Sequence, residues 1–188
     1  QLYICGGCDD AHCLRSVERF DPETRVWLPL PPMSERRESA STAAIDNKLY
    51  VCGGYDGSEY LSSAERFDPR RGEWEPLLPM SERRESATAS VVTGRLYVCG
   101  GYDGVACVSS AECFDPVTGT WGILAPMGVR REGAAAAVAS GKLHIFGGKD
   151  TTQYLNAAET FDPSTGEWES LPPMTERRVS AAVALLTG

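Results

Sequence analysis

The sequence predicts an all-β chain in which four copies of one unit, each of four short antiparallel strands, stack as the blades of a propeller. Three observations carry this reading. The string LYVCGGYDG stands at residues 49–57 and again, letter for letter, at 96–104, with looser copies LYICGGCDD at 2–10 and LHIFGGKDT at 143–151. The glycine pairs Gly6-Gly7, Gly53-Gly54, Gly100-Gly101 and Gly147-Gly148 follow one another every 47 residues. Trp27, Trp74, Trp121 and Trp168 keep the same step, as do Met33, Met80, Met127 and Met174 and the arginine pairs that begin at Arg36, Arg83, Arg130 and Arg177. A fixed period of this length is the mark of a repeat architecture, so the chain divides into units 1–47, 48–94, 95–141 and 142–188 of a single domain.

Each strand of the unit has its own signal. Residues 86–92 are small and apolar and run into the turn Thr93-Gly94, which returns the chain through the continuous apolar run Leu96 to Cys99. Such a run, bounded by a turn and by Gly100-Gly101, reads as a strand buried on both faces. The glycine pair ends it where a backbone without Cβ can take positive φ or lie against a neighbour. Ala111 to Phe114 forms a third strand, and Asp115-Pro116-Val117-Thr118-Gly119 places Pro and Gly as a hairpin turn demands before Trp121 in a fourth. No long helix is expected anywhere. Four short strands cannot bury both of their faces, so the units must stack, with Trp and Met filling the space between blades.

The two ends are complementary in the same scheme. The chain opens in the second strand of a blade, Leu2 to Cys5, and closes in a first strand, Ser180 to Leu186 with Thr187-Gly188. Pairing of these strands would close a four-blade ring; without it the chain is an arc whose open ends invite self-association.

Composition narrows the function classes. The net charge is −8 and the hydrophobic fraction 42%. An acidic chain opposes a phosphate backbone, so nucleic acid is not an expected partner. No apolar run approaches the roughly 18 residues of a membrane helix and no secretory segment opens the chain at Gln1, so no membrane partner is expected. Seven cysteines without disulfide-scaffold spacing point to free thiols in a reducing, intracellular, cytoplasmic compartment.

The double glycine, the Phe-Asp-Pro, the Trp six residues beyond that Asp, the Pro-Met and the arginine pair together resemble the kelch repeat over the whole chain. The spacing is similar to that of the substrate-receptor domains of BTB/kelch ubiquitin ligase adaptors. The resemblance implies a protein-interaction module whose blade-end loops bind a peptide, with substrate recognition for a ubiquitin ligase as its setting. A cytoskeletal or scaffolding propeller that uses its blade sides is the alternative. The string PMSERRESA at 32–40 and 79–87 also fits recent duplication or a consensus design without a partner.

Positions identical in every unit serve the architecture that all units share: the glycine pairs, the four tryptophans, and Glu18, Glu65, Glu112 and Glu159. Arg37, Arg84, Arg131 and Arg178 also recur and have two readings. They pair with the glutamates, since buried carboxylate and guanidinium each need a partner, or they form a ring that grips acidic side chains of a peptide, as the resemblance implies. Where the units differ, a specific surface can be written. Cys8, Tyr55, Tyr102 and Lys149 follow the glycine pairs, and Cys13, Tyr60, Cys107 and Tyr154 stand five residues further on. By resemblance Tyr55, Tyr102 and Lys149 surround the mouth of the binding face, together with Glu38, Ser39, Glu85, Ser86, Glu132, Gly133 and Ser180. Tyrosine offers rigid apolar area and a hydroxyl there; plain loop packing is the competing reading.

No catalytic or cofactor constellation is evident, and none is expected. Cys5, Cys8, His12 and Cys13 have zinc-like spacing, yet each occupies a repeat position explained without metal. Two histidines do not supply a copper site, and His144 replaces a strand tyrosine and reads as core. Among the loop cysteines Cys8, Cys13 and Cys107, a nearby Arg15 or Lys149 would lower a thiol pKa.

Overall fold

A computed structural model describes residues 1–186. Among these described residues there are fifteen strands and no helix. Blade 1 is built from β1 (Leu2–Cys5), β2 (Val17–Asp21) and β3 (Val26–Leu30). Blade 2 comprises β4 (Ser41–Ile45), β5 (Lys48–Cys52), β6 (Ala64–Asp68) and β7 (Glu73–Pro76). In blade 3 the strands are β8 (Thr88–Val92), β9 (Arg95–Cys99), β10 (Ala111–Asp115) and β11 (Thr120–Ile123). Blade 4 holds β12 (Ala135–Ala139), β13 (Lys142–Phe146), β14 (Ala158–Asp162) and β15 (Glu167–Leu171). Every sheet is an antiparallel meander in chain order, of four strands in blades 2 to 4 and three in blade 1.

The local chemistry matches the sequence signals. The second strand of blade 3 is buried from Leu96 to Cys99, as its unbroken apolar run requires. Asp115 makes the β10–β11 turn: its Oδ1 accepts from the amides of Val117 (2.9 Å) and Thr118 (3.4 Å), while its carbonyl accepts from Gly119 at φ +71°. Gly53 and Gly54 both have positive φ, and a Cβ on Gly53 would stand 2.2 Å from the Arg84 carbonyl oxygen. The pair therefore lets the connection that leads to the next blade lie directly against the strand end.

The core lies between blades, not within them. Ile45, Tyr50, Cys52 and Met80 of blade 2 pack with Leu96, Val98 and Phe114 of blade 3. One joint further on, Val92, Tyr97 and Cys99 meet Leu143, Ile145 and Phe161. Val17 and Met33 meet Val51 between blades 1 and 2. The tryptophans seal these joints from outside: the indole N–H groups of Trp74, Trp121 and Trp168 donate to the carbonyls of Pro31, Leu78 and Ala125 of the preceding unit, each at 2.8 Å.

Among the described residues no strand pairing joins blade 4 to blade 1. Residues 181–186 form no strand, and β1 pairs with β2 alone. The first strand expected from Ser180 onward is therefore absent among the described residues; Thr187 and Gly188 lie outside them. Among the described residues the buried clusters join neighbouring blades only. Leu2 and Ile4 are accordingly 60% and 55% exposed on the open edge of β1.

Candidate interaction face

The recurring arginines prove to be ties between blades. Arg37 stands in the connection from blade 1 to blade 2. Its amide donates to the Leu14 carbonyl and its own carbonyl accepts from Gly7, both in blade 1. Its side chain crosses into blade 2, where Nη1 donates to the carbonyls of Gly53 (2.8 Å) and Ser63 (3.2 Å), and Nε and Nη2 both reach Glu65 Oε1. Arg84 repeats the contact with Glu112 (3.0 Å) and Arg131 with Glu159 (2.7 Å). All six side chains are almost wholly buried. The second glutamate oxygen takes a backbone amide, Ser34 for Glu65 and Ser81 for Glu112, so these charges are fully partnered.

This corrects the ring of peptide-gripping arginines. Arg37, Arg84 and Arg131 are each 1% exposed, with guanidinium donors already spent on carbonyls and carboxylates, and cannot reach a ligand. The glutamate-pairing alternative is the one that these joints adopt. Arg178 and Glu18 differ from the rest. Arg178 is half-exposed and holds only its neighbour Glu176, at 2.9 Å, among the described residues; Glu18 is exposed on blade 1.

At the axis, the expected partner-binding serines are linked to one another. Ser86 N donates to Ser39 O (3.0 Å), Gly133 N to Ser86 O (2.9 Å) and Ser180 N to Gly133 O (2.8 Å). All four take positive φ, so one residue from each connection forms a string of backbone hydrogen bonds running around the centre. Their backbones are architectural.

Around that string lies a face made of short ladders. Glu38 bridges Tyr55, which bridges Tyr60; Glu85 bridges Tyr102 and then Cys107; Glu132 bridges Lys149 and then Tyr154. The sequence-derived mouth residues Tyr55, Tyr102 and Lys149 therefore share a face, each partly buried. Tyr60 joins them more closely than its loop position suggests. Its ring lies 4.9 Å from that of Tyr55 and 5.2 Å, edge-on, from that of Tyr102, an aromatic row across two blades. The Tyr60 ring also packs on Gly104, where a Cβ would lie 2.8 Å from it.

The charge of this face is acidic at its inner rank. Glu38, Glu85 and Glu132 are partly buried in equivalent positions. Burial, then the carboxylates of Glu132 and Glu38, push the Glu85 carboxyl above its ordinary value. Lys149 stands 3.8 Å from Glu132. At the rim Arg83 pairs with Glu59 at 3.1 Å, and backbone amides hold Asp56 and Asp103 low, with Arg36 and Arg130 the smallest influences. With Arg37, Arg84 and Arg131 buried, the expectation of an acidic partner rests on Lys149 and Arg178, whose side chains are 42% and 51% exposed.

The comparisons with known proteins agree with this architecture. The family described as the KLHDC2/KLHL20/DRC7 Kelch-repeats domain matches residues 1–130, and the Kelch motif matches residues 130–175. The chain belongs to the kelch-repeat family. Kelch-like protein 35 of Mus musculus is 41% identical over 49 residues, which cover 26% of this kelch chain and 8% of that protein. The solved structure titled "Structure of YjhT" superposes with a TM-score of 0.77 at 18% identity, over 93% of this chain and 66% of that one, a likeness of fold. The chain thus spans less than two thirds of either relative.

The thiols of this kelch domain are shifted away from reactivity. Burial raises Cys52 and Cys99 to about 12. Cys107 is raised to about 11, by burial and by its hydrogen bond to Glu132, against which Lys149 has the smaller influence. The Glu38 carboxylate raises Cys8, whose Sγ lies 3.7 Å from it. Burial at Cys13 and Cys107, and the Glu38 carboxylate at Cys8, thus raise the loop thiols, against the lowering expected from Arg15 or Lys149. Among the described residues, no three His, Cys, Asp or Glu side chains gather in a metal-holding group; Cys8 and Cys13 instead face each other across a backbone bridge and both point at Glu38. His144 is partly buried in β13, its ring stacked near Phe146.

Proposed function

We propose that this kelch domain binds a protein partner on its loop face, and that the partner presents an extended segment with cationic side chains. Tyr55, Tyr60 and Tyr102 supply the apolar platform, with the Lys149 stem beside them. Glu38, Glu85 and Glu132 supply the charge. The observation that carries this reading is Glu85: its carboxyl is partly buried between two like charges with no cation paired to it among the described residues. A lysine or arginine from a partner relieves that repulsion and accepts the ring of Tyr60 or Tyr102 as a cation–π surface. Arg178, Ser39, Ser86 and Ser180 contribute to the frame beneath this face.

The cellular role we attach to the surface is recognition of a substrate for a ubiquitin ligase, on the strength of the resemblance to the kelch-like adaptors. The test of the site is peptide capture. Peptides of matched length and aromatic content, rich in Lys/Arg or in Asp/Glu, are titrated against the chain by fluorescence anisotropy. Basic peptides are expected to bind, with Tyr60→Ala weakening them about tenfold, the scale of an aromatic anchor. Preference for acidic peptides would overturn the charge assignment.

A further inference from the structure

In blade 2, Tyr55 and Tyr60 stand opposite each other across a backbone bridge with their ring centroids 4.9 Å apart; blade 1 carries Cys8 and Cys13 in those two positions, bridged in the same way. The flanking hydrogen bonds fix the geometry. The Asp9 amide donates to the His12 carbonyl at 3.0 Å and the Leu14 amide to the Gly7 carbonyl at 2.8 Å, which makes Cys8 and Cys13 a non-hydrogen-bonded pair. Residues so paired share one face with Cα atoms about 4.5 Å apart, within the span that a disulfide bridges. Both sulfurs turn to one carboxylate: Cys8 Sγ donates to Glu38 Oε1 at 3.7 Å and Cys13 Sγ to Glu38 Oε2 at 3.6 Å. Among the described residues no other side chain donates to Glu38. We propose that Cys8 and Cys13 form a redox site, a dithiol that a small-molecule disulfide closes to an intrachain disulfide, and that closure frees Glu38 to hold a partner's cation. The second half of this proposal rests on the peptide-binding reading of the loop face.

The exchange of tyrosine for cysteine also opens a way in. Tyr60 covers Gly104 of blade 3, whereas the equivalent Gly57 of blade 2 meets only Cys13 Sγ, 3.6 Å from where a Cβ would stand. A hollow of about 490 Å³ results, lined by Cys8, His12, Cys13, Arg36, Glu38 and Gly57. Cys8 is exposed and Cys13 8% exposed, which sets the order of events. Cys8 loses its proton and its sulfur attacks one sulfur of the small disulfide, whose S–S bond breaks and releases one thiol. Cys13 then loses its proton and attacks the Cys8 sulfur, forming the new S–S bond and expelling the second thiol. The chain gives up two electrons and two protons, and the small disulfide takes them as two thiols. Glu38 raises the Cys8 thiol, and burial, then Glu38, raises Cys13, so closure is slow at neutral pH; a raised thiol is also a poor leaving group, so the bond once made resists reduction. Cys107 supplies the contrast: it donates to Glu132 at 3.3 Å from the same repeat position, but faces Tyr102 and not a second thiol. The site lies wholly in the joint of blades 1 and 2 and uses neither end of the chain.

Oxidised glutathione is the probe. The 188-residue chain, incubated with it at about pH 8 to supply thiolate, is expected to lose two hydrogens by mass spectrometry and retain no glutathione. Five of its seven thiols should remain open to alkylation after unfolding, Cys107 among them. Cys8→Ser and Cys13→Ser should each abolish the loss of hydrogens. The oxidised chain should bind the lysine- and arginine-rich peptide roughly threefold more tightly than the reduced chain, the scale of freeing one hydrogen-bonded acceptor. A chain that keeps all seven thiols, glutathione retained on Cys8, or a disulfide that forms as readily in either serine variant would overturn the redox site. A Cys8–Cys13 disulfide with equal peptide affinity in the two states would overturn the link to Glu38. The same disulfide with no peptide bound in either state would uphold the redox site and overturn the peptide-binding reading instead.

Discussion

Arg84 and Glu112, 28 residues apart in sequence, form a buried ion pair at 3.0 Å that joins the second blade to the third, their side chains 0% and 2% exposed. The arginine backbone belongs to the strand-end network of one blade and its guanidinium to the next. A joint of this kind couples the folding of adjacent repeats, since Glu112 meets its counter-charge only when both blades are in place.

Arg84→Ala leaves Glu112 buried without its counter-charge and should lower stability by about 3 to 5 kcal/mol. Arg178→Ala removes only an exposed pair with Glu176 and should change the stability of the monomer by less than about 1 kcal/mol. Urea unfolding of the two variants makes the comparison within one repeat position.

Gly100→Ala and Gly119→Ala separate backbone strain from collision. Both glycines have positive φ, +67° and +71°, which costs alanine about 1 kcal/mol or more. At Gly119 nothing lies within 4 Å of the added Cβ, whereas at Gly100 the Arg131 carbonyl oxygen stands at 2.3 Å. Gly119→Ala should fold with a modestly lowered midpoint; Gly100→Ala should lose far more, since the contact is with backbone.

Those two glycines also show how far the sequence was legible. The period, the strand order and the turn at Asp115 were readable because each rests on local residues repeated four times. The role of Arg37 was not, because burial is decided by the next blade, and the motif is the same whether a guanidinium points inward or outward. Loop position grouped Tyr55, Tyr102 and Lys149, yet Tyr60 stood among variable residues until folding set it between Tyr55 and Tyr102. Closure of the ring was the least legible feature, since complementary strand ends say nothing about the angle between blades.

Acid should destabilise the domain through its turn aspartates. Backbone amides hold Asp56, Asp103 and Asp115 below their ordinary value of 3.8, and hydrogen bonds from Ser164 and Lys142 do the same for Asp162. A depressed folded pKa contributes stability above the unfolded value that is lost as pH falls through the folded one. The thermal midpoint should therefore drop below about pH 4, and Asp115→Asn, which keeps the turn acceptor without its titration, should flatten the drop.

Alkylation at neutral pH should be slow at every thiol. Cys52 and Cys99 should react only after unfolding, given burial and values near 12. Cys8 is exposed and held up first by the Glu38 carboxylate, so Glu38→Gln should speed its reaction with iodoacetamide. An unchanged rate would mean that Glu38 does not face the thiol in solution.

Capture of a basic peptide should weaken in mild acid. The raised carboxyl of Glu85 protonates before an ordinary glutamate does, and its loss of charge removes the attraction. Glu85→Gln should bind more weakly at neutral pH and lose part of this dependence.

The most direct test of the interaction face is chemical-shift mapping of the isotope-labelled chain as a lysine- and arginine-rich peptide is added. The amides of Glu38, Tyr55, Tyr60, Glu85, Tyr102 and Lys149 are expected to move together and saturate at one affinity. Shifts confined to the outer strands β7, β11 and β15, with the loop face unmoved, would contradict the account and assign binding to the blade sides.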